Sequence, residues 1–469
     1  MDPGLVLLSL ALLMLVLMAH VFEANSLIKR LLPPAAVALI SIYLHLPNTQ
    51  PLLNNFGFKY SDLIYGVYHP RFSYDLLSNY DELTKFWFNP NAYLSLVYGN
   101  FTCPLPYIDY VFEYPPVIAL LWIISTCAGF RLSIPKDSAL IPYPTIYNNA
   151  LITHYLLQSL FLTTAFVLSY VYLGKILTLL GKSPKRVLIY VLLPSTIIFL
   201  AYNWDVIAAL LSIVGFYLFL RRKYTLSGMF LGLSVSTKVL TIGLTSWLGF
   251  ELLNRVLRRE ETLKNLIGYL VTAASTALLP FMVVYLIAPQ GFLRFIEHHT
   301  SWYCENCLYM IFIHDISSPN HRIFYAVFTL SIFIVLIVFR LIIGKPSESS
   351  LLNFAFTSLT TPILFNYVFS PQMFLMITPF SLIALDKVNL MLYVISDLAN
   401  SGVILTFFID ETLRAYLSRY IPLPVKYDPW SIDSPTQWLA IARNLILLWI
   451  VVVVFFQICK EVFSRRFER

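Results

Sequence analysis

Long apolar stretches separated by short polar connections run along the whole sequence. Because a helix needs about 20 predominantly apolar residues to cross a bilayer, each stretch of suitable length is a candidate membrane span. The pattern predicts thirteen transmembrane helices, at residues 5–22, 31–46, 150–174, 187–202, 206–220, 224–237, 239–253, 266–288, 323–343, 351–369, 373–385, 388–409 and 438–459.

A fourteenth apolar stretch, at residues 117–130, differs from the others. It is short and follows the proline pair Pro115-Pro116. Short apolar segments bounded by prolines are typical of re-entrant or interfacial elements rather than of full spans. We therefore expect this stretch to meet the membrane without crossing it.

Basic residues predict the orientation, because cytoplasmic connections collect Lys and Arg. All basic clusters fall on one side of the membrane if 117–130 does not cross; if it crosses, the Lys29/Arg30 loop lies opposite the later clusters. The first arrangement places the N-terminus outside and the C-terminus inside. It also leaves four large outward segments, at residues 47–116, 131–149, 289–322 and 410–437.

Composition supports a membrane protein. The chain is 58% hydrophobic and 12% charged, and its mean hydropathy is +0.73. A soluble domain is about 25% charged, so a water-soluble enzyme, a disordered protein and a disulfide scaffold are excluded. We predict one all-α polytopic domain over residues 1–469, placed in the cell membrane. The net charge of +7 comes from the loop clusters and does not indicate a nucleic-acid partner.

Familiar nucleotide and hydrolase motifs are absent from the sequence: it has no Walker sequence, GxGxxG, HExxH or GxSxG. An ATP-driven pump and a Rossmann-type nucleotide-sugar enzyme are therefore disfavoured. Any energy for a reaction has to arrive with the substrate.

Cysteines leave several interpretations open. Cys304 and Cys307 form a lone CxxC in a segment that also contains His298 and His299. Structural or free thiols, a disulfide that could involve Cys103, and a zinc site are all compatible with this spacing.

The first outward segment holds the strongest candidate for chemistry. Asp62 follows the second predicted helix by about sixteen residues, within reach of the membrane surface. A carboxylate there can act as a general base on an acceptor hydroxyl. The alternative is a solvated loop acid without a catalytic role.

An ordered set of motifs surrounds this aspartate. Together they resemble the polyprenol-phosphate-mannose-dependent alpha-mannosyltransferases of the GT-C class of membrane glycosyltransferases. The matching pieces are Ser61-Asp62, Pro106-Tyr107-Ile108-Asp109, Glu113-Tyr114-Pro115-Pro116, Asn203-Trp204-Asp205, the glycine-containing segment 232–238, His298/His299 with Glu305, and Ser370-Pro371-Gln372. The chain departs from the family pattern after Lys238, which lacks a following proline.

The resemblance implies an inverting hexosyltransferase that moves a hexose, mannose in the family, from a polyprenyl-phosphate donor to a lipid-linked or glycan acceptor outside the cell. It implies a GT-C-like bundle and does not imply a metal, and we expect no cofactor. Asp62 would be the catalytic base. The expected substrate-binding residues are Asp109, Glu113, Asp205, Lys238, His298, His299, Glu305 and Gln372.

Each substrate role has a simpler alternative. Lys238 could extend to lipid headgroups, although an ionisable residue at membrane depth favours a phosphate partner. Asp205 could be a helix N-cap. Glu113 could hold the loop in place, Tyr367 could serve packing, and the histidine segment could be solvated.

A secondary transporter or a lipid-linked sugar flippase is the main rival function. That class predicts internal repeats and polar residues near the middle of the membrane. The sequence shows no repeat, and its polar motifs gather at one face. A purely structural membrane protein would not require Asp62, Glu113 and Lys238 together at that face.

Overall fold

The computed structural model describes residues 27–47, 60–99, 101–134, 141–344 and 346–467. Within these ranges every regular element is helical, and β-type pairing is limited to three isolated bridges. The predicted all-α architecture is confirmed. The predicted span at 5–22 lies outside the described residues.

The described residues form nineteen α-helices. In chain order they are α1 Leu27–His45, α2 His69–Phe72, α3 Tyr80–Phe86, α4 Pro90–Val97, α5 Pro116–Ser133, α6 Tyr143–Leu179, α7 Val187–Leu192, α8 Pro194–Phe199, α9 Asp205–Leu220, α10 Tyr224–Thr237, α11 Ile242–Leu257, α12 Leu263–Ile287, α13 Pro289–Ser301, α14 Asn320–Ile343, α15 Glu348–Leu364, α16 Phe374–Ala384, α17 Lys387–Phe407, α18 Asp410–Leu417 and α19 Pro435–Phe467.

Six of the described helices are long and apolar enough to cross a membrane, namely α5, α6, α12, α14, α17 and α19. The chain is thus a membrane-type helical protein, but these six do not establish thirteen crossings. Several predicted spans are shorter helices than the sequence pattern suggests. Pro194 divides the stretch 187–202 into α7 and α8, and α16 has only 11 residues.

Helix α5 does not fit the argument that 117–130 is too short to cross, because it is an uninterrupted helix of 18 residues. It runs antiparallel to the N-terminal half of α6: Gly129 packs on Ala150, while Gln158 Nε2 donates to Leu121 O at 3.2 Å. Helix α6 has 37 residues, about 55 Å at 1.5 Å per residue, which exceeds a hydrocarbon core of about 30 Å. Helix α6 is therefore long enough for its N-terminal half, with the α5 helix packed against it, to extend beyond the bilayer.

The N-terminal half of α6 also supports the first long loop, residues 60–115. The Tyr143 hydroxyl donates to Phe72 O at 2.9 Å, and the Tyr147 hydroxyl contacts His69 Nδ1 at 2.9 Å. A covalent link, the Cys103–Cys127 disulfide, also joins this loop to α5. The loop, α5 and the start of α6 thus form one packed unit.

Basic connections gather at one end of the bundle, which we call the basic end. Arg186 Nη2 donates to Leu385 O at 2.6 Å, and Lys182 Nζ bonds to Ile383 O. Arg222 lies 3.6 Å from Glu261. Helices α9 and α10 are antiparallel, so their other ends, at Asp205 and Thr237, lie away from the basic end. We call that opposite end the site end.

Helix α10 approaches α12 closely because two glycines face it. A Cβ at Gly228 would lie 2.3 Å from Tyr269 O, and one at Gly232 would lie 2.3 Å from Ala273 O. Only glycine permits this backbone contact without displacement. The glycine-containing segment of the sequence therefore serves helix packing, and this packing brings Lys238 to the site end.

Candidate active site at the site end

Asp62 is the meeting point of four chain segments. It opens a π-helical turn, Asp62–Tyr68, and its backbone N–H donates to Tyr202 O at 3.1 Å. Three side chains reach its Oδ2: Asn203 Nδ2 at 2.5 Å, Gln372 Nε2 at 3.2 Å and the Tyr114 hydroxyl at 3.3 Å. The structure thus brings Asp62 and Gln372 together from opposite halves of the chain.

Lys238 and Asp205 form an ion pair beside this cluster. Lys238 Nζ lies 3.1 Å from Asp205 Oδ1, with the lysine side chain 18% exposed and the aspartate side chain 0% exposed. Neither carboxylate oxygen of Asp205 has a directed hydrogen bond among the described residues. Trp204, not Asp205, is the N-cap of α9. Asp205 is therefore a buried partner of Lys238 rather than a helix cap.

Glu305 enters the site from a Cys-Glu-Asn-Cys turn. Its backbone N–H donates to Tyr367 O at 2.9 Å, and Phe369 N–H donates to Glu305 O at 2.8 Å. Its carboxylate accepts a hydrogen bond from Trp302 Nε1 at 3.0 Å. The charge of Glu305 acts on Asp62, and the charge of Lys238 acts on both carboxylates.

This environment raises the pKa of Asp62 to about 7. Burial is the main cause, and the neighbouring charges of Glu305 and Asp205 add to it. The hydrogen bond from Asn203 and the positive charge of Lys238 oppose the rise. A carboxylate whose pKa lies near neutral pH is suited to accept and release a proton.

Glu113 supports the loop rather than the Asp62 cluster. It pairs with the fully buried Arg71, which also donates to Val111 O at 2.7 Å and to Val67 O at 2.9 Å. These contacts match the alternative expectation that Glu113 holds the loop in place. Nothing in the sequence pattern indicates this role for Arg71.

Asp109 also forms loop contacts. Its Oδ2 accepts from Leu105 N–H at 2.7 Å, and its Oδ1 accepts from Asn89 Nδ2 at 3.0 Å. Through these bonds it closes the turn that leads to Tyr110. Its described contacts do not include the residues around Asp62.

The two histidines lie in the last turn of α13, seven and six residues before Glu305. The His298 ring lies 4.6 Å from the Trp302 ring, so it reaches Glu305 through that indole. His299 Nδ1 contacts Phe295 O at 2.9 Å, and the Tyr367 hydroxyl donates to His299 O. Tyr367 therefore joins α13 to the segment before Gln372.

The structure pairs four of the five cysteines. Cys304 bonds to Cys307, and Cys103 bonds to Cys127. The free-thiol interpretation of Cys304 and Cys307 is therefore wrong, and the partner of Cys103 is a cysteine inside α5. His321 Nδ1 lies 3.7 Å from Cys307 Sγ, so these three side chains are close enough to share a metal ion if the disulfide were reduced.

Sequence reasoning did not assign roles to Tyr114 and Asn203, although both belong to motifs that it singled out. Tyr114 lies next to Glu113, and Asn203 lies two residues before Asp205. Their contact with Asp62 depends on tertiary packing across more than fifty residues of chain in one case and more than one hundred in the other. Their membership of these motifs, and not their spacing along the chain, was the feature of the sequence that could have indicated their role.

Fold and site together define an all-α membrane-type protein with a carboxylate–lysine centre at one end of its bundle. No protein-family model matches the chain, and no similar sequence was found among characterised proteins. The function of the chain is therefore inferred from its sequence motifs and its site geometry.

Proposed function

We propose that the protein is an inverting glycosyltransferase of the GT-C type that transfers a hexose, mannose by resemblance, from a polyprenyl phosphate to a lipid-linked or glycan acceptor. The observation that carries the proposal is the placement of Asp62. A carboxylate with a pKa of about 7 accepts bonds from Asn203, Gln372 and Tyr114. Lys238, which can bind a phosphate, lies near enough for its positive charge to stabilise the ionised form of Asp62.

The chemistry needs one base and one cation. The Asp62 carboxylate takes the proton of the acceptor hydroxyl as that oxygen forms a bond to the anomeric carbon. The bond from this carbon to the phosphate oxygen breaks, and its electron pair leaves with the polyprenyl phosphate. Attack from the face opposite the phosphate inverts the anomeric centre, so no second carboxylate nucleophile is needed.

Lys238 is the proposed partner of the donor phosphate. An ammonium group has three donors and Asp205 occupies one direction, which leaves capacity for phosphate oxygens. Asp205 orients the ammonium and pairs with its charge in a largely buried setting, because an unpaired buried charge is costly. The lysine then stabilises the negative charge that develops on the leaving phosphate.

Exposed apolar surface next to Lys238 supports a lipid-linked donor. Val239 and Ile242, on the turn directly after the lysine, are 46% and 49% exposed. Nearby helix α12 presents many exposed apolar side chains, including Met282 at 56% and Leu286 at 73%. In a bilayer such surface contacts acyl or isoprenoid chains, so a lipid tail can lie there with its phosphate at Lys238.

The remaining predicted residues divide between contact and support. The charge of Glu305 acts on Asp62, and His298 packs on Trp302, which bonds to Glu305, so we assign both to hydroxyl recognition, with His299 supporting α13. Asp109 and Glu113 shape the loop that carries Tyr114.

We also propose that thirteen helices cross the membrane, that the site end faces outward, and that no metal takes part.

The decisive experiment compares the wild-type protein with Asp62→Asn in transfer of labelled mannose from polyprenyl-phosphate-mannose to a lipid extract. Nucleotide-linked mannose serves as the second donor, and Asp81→Asn on the exposed face of α3 is the matched carboxylate control. We expect product from the lipid donor only, with loss of about 1,000-fold in Asp62→Asn and full activity in Asp81→Asn.

Two outcomes would count against this assignment. Full turnover by Asp62→Asn would remove Asp62 as the base. Absence of product from both donors, with folded protein, would reject mannosyl transfer and favour another lipid-linked sugar or a transport function.

A further inference from the structure

Arg443 is a fully buried cation inside α19 whose hydrogen bonds go to neutral groups. Its side chain is 0% exposed. The other fully buried arginines among the described residues, Arg71, Arg340 and Arg414, contact the carboxylates of Glu113, Glu251 and Asp410. Arg443 instead bonds to carbonyl and amide oxygens. Since burial of a charge is costly unless its donors are satisfied, this arrangement calls for an explanation.

The guanidinium joins two loops of the site. Nη2 donates to Asn306 O and to Phe369 O, both at 2.9 Å. Nη1 donates to Asn400 Oδ1 at 2.8 Å, and the guanidinium carbon lies 3.9 Å from the centre of the Phe369 ring. A planar fork with five donors can hold several acceptors in one fixed geometry, which a lysine cannot do.

Each loop carries a residue that acts on Asp62, Glu305 in one case and Gln372 in the other. Asn306 directly follows Glu305 and has a left-handed backbone with φ 52°, and the Cys304–Cys307 disulfide closes this turn. Phe369 lies three residues before Gln372, and its N–H bonds to Glu305 O. Asn400, which Arg443 orients, donates to Pro371 O at 2.8 Å. Movement of the guanidinium would therefore shift the carboxylate of Glu305 and the amide of Gln372 together.

We infer that Arg443 is a positioning residue that sets Glu305 and Gln372 against Asp62. The residue does not contact substrate. It acts through the carbonyls of Asn306 and Phe369, so that one side chain of α19 fixes two of the neighbours of the base. This inference rests on the proposed function, because it assigns Arg443 to the alignment of that catalytic centre.

The test is Arg443→Lys, which keeps a positive charge but loses the fork. We expect kcat to fall about 100-fold, the effect of a misplacement of about 1 Å, while KM for polyprenyl-phosphate-mannose changes by less than about threefold. The acid limb of the pH–rate profile should move to lower pH, because Glu305 no longer raises the pKa of Asp62. Arg340→Lys is the matched control: it is equally buried, lies at the basic end and should leave kcat and the pH profile unchanged.

Hydrogen–deuterium exchange provides a measurement that does not depend on turnover. In Arg443→Lys, residues 303–309 and 366–373 should exchange faster together, while both segments keep wild-type rates in Arg340→Lys. If Arg443→Lys does not fold, Asn444→Ala gives the same test, because Asn444 bonds both to Arg443 Nε and to Asn306 O at 2.9 Å. We expect a smaller kcat loss in the same direction.

The outcomes separate this inference from the assigned reaction. If the wild-type protein transfers no sugar, the proposed function fails, and joint loosening of the two segments still decides whether Arg443 holds them. Unchanged exchange in both segments would overturn the inference. So would loosened loops with an unchanged kcat and pH profile.

Discussion

At the residue scale, the surroundings of Asp62 combine groups that favour its charged form with groups that disfavour it. Asn203 and Lys238 stabilise the carboxylate, whereas burial and the charges of Glu305 and Asp205 destabilise it. The balance keeps the pKa of Asp62 near 7 instead of near 4. A fully stabilised carboxylate would be a weaker base, so the opposing carboxylates contribute to the proposed chemistry.

The pH dependence of turnover follows from this balance. Because Asp62 must be deprotonated to act as base, kcat should rise with pH and level off above a pKa of about 7. Below that pKa, kcat should fall about tenfold per pH unit, since the fraction of carboxylate falls by that factor. Single-turnover rates measured from pH 5 to pH 9 with saturating donor would show the limb.

Glu305→Gln tests the origin of that limb. The neutral amide removes a charge that raises the pKa of Asp62, so the acid limb should shift to lower pH. Asp81→Asn on α3 should leave the limb where it is. A limb that stays at pH 7 in Glu305→Gln would mean that Glu305 is not the electrostatic neighbour of the base.

At the element scale, the position of Lys238 depends on how α10 packs. The helix ends at Thr237 with Lys238 as its C-cap, and its glycines allow the backbone to contact α12. Ser234 also bonds to Ser212 of α9 at 2.9 Å. Helix α10 is therefore held between α9, which begins with Asp205, and α12, which carries exposed apolar surface. The ion pair and the lipid-facing side are products of the same packing.

Gly232→Ala tests this helix contact. The new Cβ would lie 2.2 Å from Thr276 Oγ1 and 2.3 Å from Ala273 O, so the helices must separate. We expect a loss of about 1–3 kcal/mol in stability, as for overpacked cores, and a lower melting temperature in detergent. Gly174→Ala in α6 is the control, because nothing lies within 4 Å of its added Cβ; it should melt at the wild-type temperature or above. Equal melting of both variants would show that the contact is not tight.

At the scale of the whole molecule, the sequence predicts what depends on local pattern. Apolar stretches locate α6, α12, α14, α17 and α19, because a helix of membrane length needs only its own residues to satisfy its backbone. The motifs also predict that Asp62 and Gln372 belong to one site, and in the structure the two side chains are hydrogen-bonded.

The sequence pattern does not predict the residues whose role arises from tertiary contacts. Arg71 and Arg443 are single basic residues in the sequence, and their bonds to backbone carbonyls exist only in the folded chain. The length of α5 was missed because Arg131 and Ser133 extend a helix beyond its apolar core. The pairing of Cys103 with Cys127 depends on the packing of the loop on α5.

Membrane topology is the prediction that concerns the whole chain. If the site end faces outward and α5 does not cross, the first long loop and the end of α5 share one side, opposite the basic end. In a Cys459→Ser background with both disulfides intact, we would compare Tyr80→Cys, Leu132→Cys and Lys185→Cys. Tyr80 and Leu132 are 70% and 76% exposed, and Lys185 is an exposed residue of the basic end.

A membrane-impermeant maleimide added to intact cells should label the cysteines at 80 and 132 and leave the one at 185 unreacted until the membrane is opened. The reason is physical: Tyr143 and Tyr147 contact Phe72 and His69 of the first loop, so the start of α6 lies beside that loop. Labelling at 80 but not at 132 would show that α5 crosses, and the basic loops would then divide between the two sides. Labelling only at 185 would place Asp62 on the cytoplasmic side, where the proposed outward-facing transfer could not occur.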